Sequence, residues 1–227
     1  MMMIMKPVMT TILLMMRLWV LLIVMFFSVP SYTQEKYVPQ KGDLLFCVAG
    51  DSDFSGAIAD ATAWHDTVKF VHVAIVAVEK GKPYIIEATG RKGVTCTDWE
   101  EFFSSSQHIG GKPGVVVMRV KPTAGFSVTS AIEKAKTHLG EEYDWSYYPD
   151  NGKMYCTELV YECFRKDDGT PLFTARPMNF RNENGEMPAF WTELFEKLGE
   201  PIPEGVLGTN PNDMSKEPVL MEVHRYF

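Results

Sequence analysis

Cysteine is sparse in this chain, and the four present (Cys47, Cys96, Cys156 and Cys163) form no Cys-x-x-Cys pair. That argues against a disulfide-built scaffold and against a zinc ribbon, leaving Cys47–Cys96 as the one pairing to consider. Positive charge is also scarce: 22 Lys and Arg stand against 29 Asp and Glu, a net charge of −7. A basic nucleic-acid footprint is therefore absent, and non-specific adhesion to anionic lipid is disfavoured. No Gly-rich phosphate loop, serine nucleophile elbow or zincin motif occurs, and no metal or organic cofactor is expected. Internal repeats and low-complexity tracts are absent too.

The only long apolar run lies at the N-terminus. Residues 1–27 carry two charges, Lys6 and Arg17, and end in a compact apolar stretch, Leu18 to Phe27. Ser28-Val29-Pro30-Ser31 then offers small residues suited to signal-peptidase cleavage. The apolar run is short for a membrane span of ~20 residues. The expectation is export to the periplasm or cell envelope, by a signal peptide over 1–31 or with that segment kept as an anchor. Membrane contact is expected only in the anchored case. Met15 or Met16 would serve equally as the start, because Met16-Arg17 and the apolar run form a complete signal. Removing 31 of 227 residues leaves 196, enough for one domain with a full core over 32–227. Loss of Lys6 and Arg17 takes the net charge from −7 to −9.

Along that domain, Leu44 to Val48 reads as a short buried strand, and Gly56 to Trp64 as a helix capped by Ser55 or Asp53. Phe70 to Val78 is β-branched and apolar on both faces, which places it mid-sheet, and His72 is its only ionisable side chain. Lys80-Gly81 centres a two-residue hairpin turn returning as Pro83 to Ala88. That turn pairs residues whose numbers sum to 161, so Ala74 faces Glu87, and Glu87 shares a face with His72 as its diagonal neighbour. A slip of one residue would separate the two. Asp98 or Thr97 caps a helical turn to Phe103, Val115 to Val120 is another core strand, and Ser127 to Leu139 is an amphipathic helix. Residues 165–227 are rich in Pro and Gly, with one clear helix, Ala189 to Leu198, and are expected to wrap the core.

The stretch Lys153 to Phe164 organises the rest. The loop Tyr148 to Gly152 leads into a helix beginning at Cys156, whose apolar face carries Leu159, Val160, Cys163 and Phe164. Unpaired backbone N–H groups and the positive dipole end stabilise negative charge at such a position, as a nucleophilic cysteine requires. Taken singly, each residue has a plain alternative. Cys156 and His72 are of types that fill cores, and Glu87 has Arg91 and Lys92 as nearby ion partners. Together, a cysteine at a helix start, a strand histidine and a carboxylate on the histidine's face form the parts of a thiol–imidazole catalyst. The other histidines, His65, His108, His138 and His224, fall in loops, on an exposed helix side or in the tail. Cys163 is read as packing.

Gly42-Asp43-Leu44-Leu45-Phe46, Val71-His72-Val73-Ala74-Ile75, Ile86-Glu87-Ala88 and Tyr155-Cys156-Thr157-Glu158-Leu159-Val160 occur in an order that resembles the YiiX/YebB-like cysteine hydrolases. These are relatives of the NlpC-type cell-wall amidases with a circularly permuted papain fold, and in them the histidine strand precedes the cysteine helix, as here. The resemblance covers residues 41–215, including the Pro-rich tail. It implies an α+β fold with an antiparallel sheet or barrel core against the nucleophile helix, Cys156 as nucleophile, His72 as general base and Glu87 as the orienting residue. The oxyanion would sit against the Cys156 backbone N–H, helped by Tyr155 or part of the Gly42 to Ser52 segment. Tyr155 and Tyr143, with Trp145 and Tyr147, are candidates to line the substrate groove. The expected activity is hydrolysis of an amide of the cell envelope, peptide or acyl-amide, through an acyl-enzyme. The alternatives are a lipid thioesterase or acyltransferase on the same fold, which a deep apolar pocket beside Cys156 would favour, and a binding protein without turnover.

Overall fold

The hairpin turn at Lys80-Gly81 sets the register of the sheet. Both residues have positive φ (49° and 79°), the backbone of a tight turn that matches strand twist, and Gly81 adopts it at no steric cost. It joins β2 (Phe70–Glu79) to β3 (Lys82–Thr89), and Ile75 pairs with Ile86 and Glu79 with Lys82, the register expected from the turn. The computed structural model describes residues 37–227, so the signal or anchor expected over residues 1–31 lies outside the described residues.

Four more strands, β1 (Leu44–Val48), β4 (Gly93–Asp98), β5 (Val115–Val120) and β6 (Leu220–Arg225), complete a six-stranded antiparallel sheet in the order β6-β5-β1-β2-β3-β4. The pairing is linear, with β4 and β6 at its ends, rather than closed into a barrel. Strand β6 is the larger surprise, because it lies inside the tail expected to be irregular. Its charged and polar residues, Glu222, His224 and Arg225, give it little apolar signal, and it is held by pairing with β5 about a hundred positions earlier.

Helices cover the sheet. Ser52 caps α1 (Asp53–Thr62) by accepting from the Ser55 N–H at 3.1 Å, and Asp98 caps α2 (Trp99–Ser105) through the Glu100 N–H at 2.8 Å. Helix α3 (Val128–Thr137), capped by Ser127, packs against α4 (Cys156–Cys163), which lies on β2 and β3. In α4 the buried face is Leu159, Val160 and Cys163, continued by the fully buried Phe164. Burying such side chains contributes on the order of 2 kcal/mol each, which fixes the helix start against the sheet. Helix α5 (Ala189–Leu198) ends at left-handed Gly199, and Asn210 caps the short α6 (Pro211–Ser215), which packs on β2. Asn210-Pro211-Asn212 thus opens a capped helix with proline in its first turn, although it lies in the Pro- and Gly-rich tail.

All four cysteines are free. Cys47 on β1 and Cys96 on β4 are separated by two intervening strands, a span of ~14 Å at ordinary strand spacing, so the pairing considered from sequence does not form. His138, expected on an exposed helix side, is buried at the end of α3, with Nδ1 2.9 Å from Glu141 Oε2.

Candidate active site

His72 stands on β2 opposite Cys47 of β1, where the register shifts and a bulge forms between Cys47 and Val48. Such shifts re-aim side chains, and this one lies directly opposite His72. On the neighbouring strand Glu87 is buried, and its Oε2 is 2.7 Å from His72 Nε2. The other carboxylate oxygen, Oε1, accepts from the Thr97 hydroxyl of β4 at 2.5 Å. Thr97 thereby fixes the carboxylate that fixes the ring. Sequence reading saw Thr97 only as a candidate helix cap. The β3–β4 register, which pairs Glu87 with Thr95, puts Thr97 on the same face as Glu87.

Cys156 is the first residue of α4, after Tyr155 in extended backbone (φ −92°, ψ 170°), so its N–H has no intrahelical partner. Its thiol lies close enough to His72 to act on the charge of the ring. With Nε2 engaged by Glu87, Nδ1 is the ring nitrogen that serves the thiol. Burial works against the imidazolium, but the interaction with Cys156 and the hydrogen bond and charge of Glu87 outweigh it, raising His72 to about 10. For Glu87 burial likewise opposes ionisation, and the bonds from His72 and Thr97 overcome it, holding the carboxyl below its usual range. The three remaining thiols have no such setting. Burial raises Cys47 far above the usual thiol range and Cys163 to about 12, and Cys96 is also raised by burial. The structure thus brings Cys156, His72 and Glu87 into one chain of side-chain contacts.

Two recesses flank this chain. On the His72 side lies an open cleft of about 480 Å³, with mixed walls whose polar residues include Asp51, Ser52, Thr89 and Gln107. On the Cys156 side lies a narrower pocket of about 60 Å³, walled by Tyr143, Tyr147, Tyr155, Phe180 and Trp191. Ile58, Val71 and Tyr143 border both, so the two meet at the thiol–imidazole pair.

Tyr155 and Tyr143 occupy distinct places in this wall. The Tyr155 hydroxyl accepts from the Thr209 N–H at 3.1 Å, while Thr157 donates to the Thr209 carbonyl at 3.0 Å, tying the tail to the start of α4. Tyr143 packs edge-on against Trp145, with ring centroids 4.8 Å apart. Burial raises the phenols of Tyr143, Tyr147 and Tyr155 well above their ordinary range, so all three stay protonated. Met178, Phe180, Trp191 and Thr209 were missed as site residues. They come from the Pro- and Gly-rich tail, where only Trp191 falls in a recognisable helix and nothing in that helix marks it as part of the site.

Comparison with known proteins bears on the family and the fold. Escherichia coli K12 YiiX, itself uncharacterized, is 27% identical over 199 residues, 86% of this chain and 90% of YiiX. A crystal structure of YiiX from Escherichia coli O157:H7, described as a metalloprotein, superposes with a TM-score of 0.66 at 26% identity, covering 83% of this chain and 98% of that one. Residues 38–224 match the family described as permuted papain-like amidase enzyme, YaeF/YiiX, C92 family, and the chain belongs to that family.

Proposed function

We propose that this chain is an exported cysteine hydrolase that cleaves an amide of the cell envelope through an acyl-enzyme. The observation that carries this reading is the chain of contacts from the Cys156 thiol to the His72 ring and on to the Glu87 carboxylate, 2.7 Å from Nε2. In the proposed reaction His72 takes the Cys156 proton, and the thiolate sulfur attacks the scissile carbonyl carbon. The oxyanion that forms is stabilised by the unpaired Cys156 N–H. The C–N bond then breaks as the imidazolium gives its proton to the leaving amine, yielding a thioester. Water, deprotonated by His72, attacks the thioester to release a carboxylic acid and restore the thiol. Glu87 holds the ring and stabilises its charged form throughout. Export rests on the N-terminal pattern of the sequence, and the envelope substrate rests on export.

The metalloprotein description applies to the Escherichia coli structure. Among the described residues of this chain no three of His, Cys, Asp and Glu are grouped so as to hold a metal ion, and no step above is routed through one.

A second reading has an observation in its favour. The largely apolar pocket beside Cys156 suits transfer or hydrolysis of a short acyl group from a thioester, chemistry that passes through the same acyl-enzyme. The experiment that tests the shared core is alkylation of Cys156 by iodoacetamide at pH 6, resolved by peptide mapping. Cys156 is expected to react at least tenfold faster than Cys47, Cys96 and Cys163, and to lose that advantage in His72→Ala. Equal labelling of all four cysteines, indifferent to His72, would leave a binding protein on this fold.

A further inference from the structure

The pocket beside Cys156 has apolar walls, but they are not uniformly apolar. Among the described residues five buried side-chain atoms make no hydrogen bond, and three of these, Tyr147 Oη, Trp191 Nε1 and Thr209 Oγ1, belong to residues that line this one pocket. The two hydroxyls lie near neighbours, Tyr143 for Tyr147 and Tyr155 for Thr209, without reaching hydrogen-bond geometry. Each such group costs about 1–3 kcal/mol when left unpaired, and native structures keep few of them. Tyr147 adds a further cost. Its φ of 56° is the left-handed region that bulky residues avoid, so the fold spends backbone energy to direct this ring into the wall.

The chemistry of the three groups defines what would satisfy them. An indole N–H only donates, and protonated phenol and alcohol hydroxyls donate readily. A ligand group that pairs with all three therefore offers acceptor oxygen. None of Asp, Glu, Lys, Arg or His lines the pocket among the described residues, so an ionised ligand group would be buried without a counter-charge. The volume of about 60 Å³ has room for on the order of five water-sized groups, far short of a long hydrocarbon chain.

Direction follows from the reaction. The imidazolium protonates the leaving amine, so the amine departs on the His72 side, through the open cleft. The acyl group stays bonded to sulfur and lies on the Cys156 side. Building on the hydrolase reading above, we propose that the pocket beside Cys156 is an acyl subsite for a short, uncharged acyl group bearing a hydrogen-bond-accepting oxygen, such as an N-acylated amino acid or a hydroxy acid. Tyr147, Trp191 and Thr209 are its specificity-determining residues. A long fatty acyl chain would fill none of their hydrogen bonds, and sites built to bond an oxygen discriminate strongly against analogues that lack it.

The test uses three chloromethyl ketones, each alkylating a thiolate with loss of chloride. They are N-acetylglycyl chloromethyl ketone, its hydrocarbon isostere 1-chloro-5-methylhexan-2-one, and the long-chain 1-chlorododecan-2-one. Rates at Cys156, read by intact mass and peptide mapping, are divided by the rate of each reagent with free N-acetylcysteine. The N-acetylglycyl reagent is expected to lead the isostere at least tenfold. That ratio should fall toward unity in Thr209→Val and Tyr147→Phe, each nearly unchanged in volume, and in Trp191→Phe, which removes the indole N–H and also enlarges the pocket. Because the ratio is internal to each protein, general effects on the site cancel, and any one folded variant suffices. A faster isostere or dodecanone, or a ratio unmoved by the substitutions, overturns the subsite while the catalytic reading stands. If instead iodoacetamide shows Cys156 no more reactive than Cys163 and indifferent to His72→Ala, the catalytic reading itself fails and the subsite falls with it.

Discussion

His72 Nε2 lies 2.7 Å from Glu87 Oε2, and the pair bridges two adjacent strands whose register a two-residue turn decides. Together with Cys156, the contact raises His72 to about 10 against the opposing effect of burial. Replacing the carboxylate with Glu87→Gln keeps a hydrogen-bonding side chain but removes the charge. The imidazolium is then expected to lose its proton at a distinctly lower pH, followed by NMR of histidine ring resonances. In the wild type the alkaline fall of kcat/KM should sit near pH 10, where the proton for the leaving amine disappears. In the variant it should move down, with kcat/KM lowered roughly 10²-fold. An unshifted ring titration would show that Glu87 does not hold the imidazolium.

Thr97 donates to the other oxygen of the same carboxylate at 2.5 Å. Glu87 is held below its usual range, so its contribution to stability is present above the unfolded carboxyl pKa of 4.5 and is lost as pH falls through the lower folded value. Removing the hydroxyl in Thr97→Val raises the folded value. Loss of stability on acidification should then begin at higher pH than in the wild type, on top of about 1–2 kcal/mol at neutral pH from the missing bond. Thermal melts between pH 3 and 7 report both effects. A curve parallel to the wild type would leave Thr97 with no part in holding Glu87.

Glu158 presents the opposite sign. It sits in the first turn of α4, its Oε2 accepting from the Tyr155 N–H at 3.4 Å. Burial, and then the charges of Asp144, Glu162 and Asp150, raise it to about 8 despite that bond. The folded state therefore holds a proton that the unfolded chain has released, and stability falls as pH rises from 4.5 toward 8. Glu158→Gln keeps an acceptor for Tyr155 and removes the titration. Its stability should be flatter across that window and exceed that of the wild type above pH 8, by up to a few kcal/mol. Urea unfolding at pH 5, 7 and 9 distinguishes this from an unchanged slope.

What the sequence reveals and what it conceals divide along the range of the interactions. The His72–Glu87 pair is legible because a turn and a period of two residues determine it locally. The start of α4 is equally legible from its apolar spacing. Thr97 is one strand further, and a threonine in a strand announces nothing until the β3–β4 register is known. Strand β6 and the wall formed by Tyr147, Trp191 and Thr209 depend on segments distant in the chain meeting in space, and no local pattern encodes that. The Cys47–Cys96 pairing fails for the same reason, since only strand order shows that β2 and β3 lie between them.

Asn212 shows how the irregular tail is fastened where the acyl pocket needs a wall. Its side chain is buried, accepting from the Phe70 N–H at 2.8 Å and donating to the Phe70 carbonyl and the Thr62 hydroxyl, each at 2.8 Å. Thr209, Asn210 and Pro211, immediately before it, line the pocket. Asn212→Asp keeps the shape but removes both donors and sets a carboxylate against the Phe70 carbonyl. At pH 7 the variant should lose about 3–5 kcal/mol. A carboxyl in that place is protonated more readily in the folded state than in the unfolded chain, and the protonated form donates one bond again. The deficit should therefore shrink as pH falls from 7 to 4, whereas Asn212→Ala, with no proton to gain, should show a constant one. Denaturant unfolding of both variants at the two pH values checks this, and equal deficits for Asn212→Asp at pH 4 and pH 7 would mean that its side chain has swung out of the anchor.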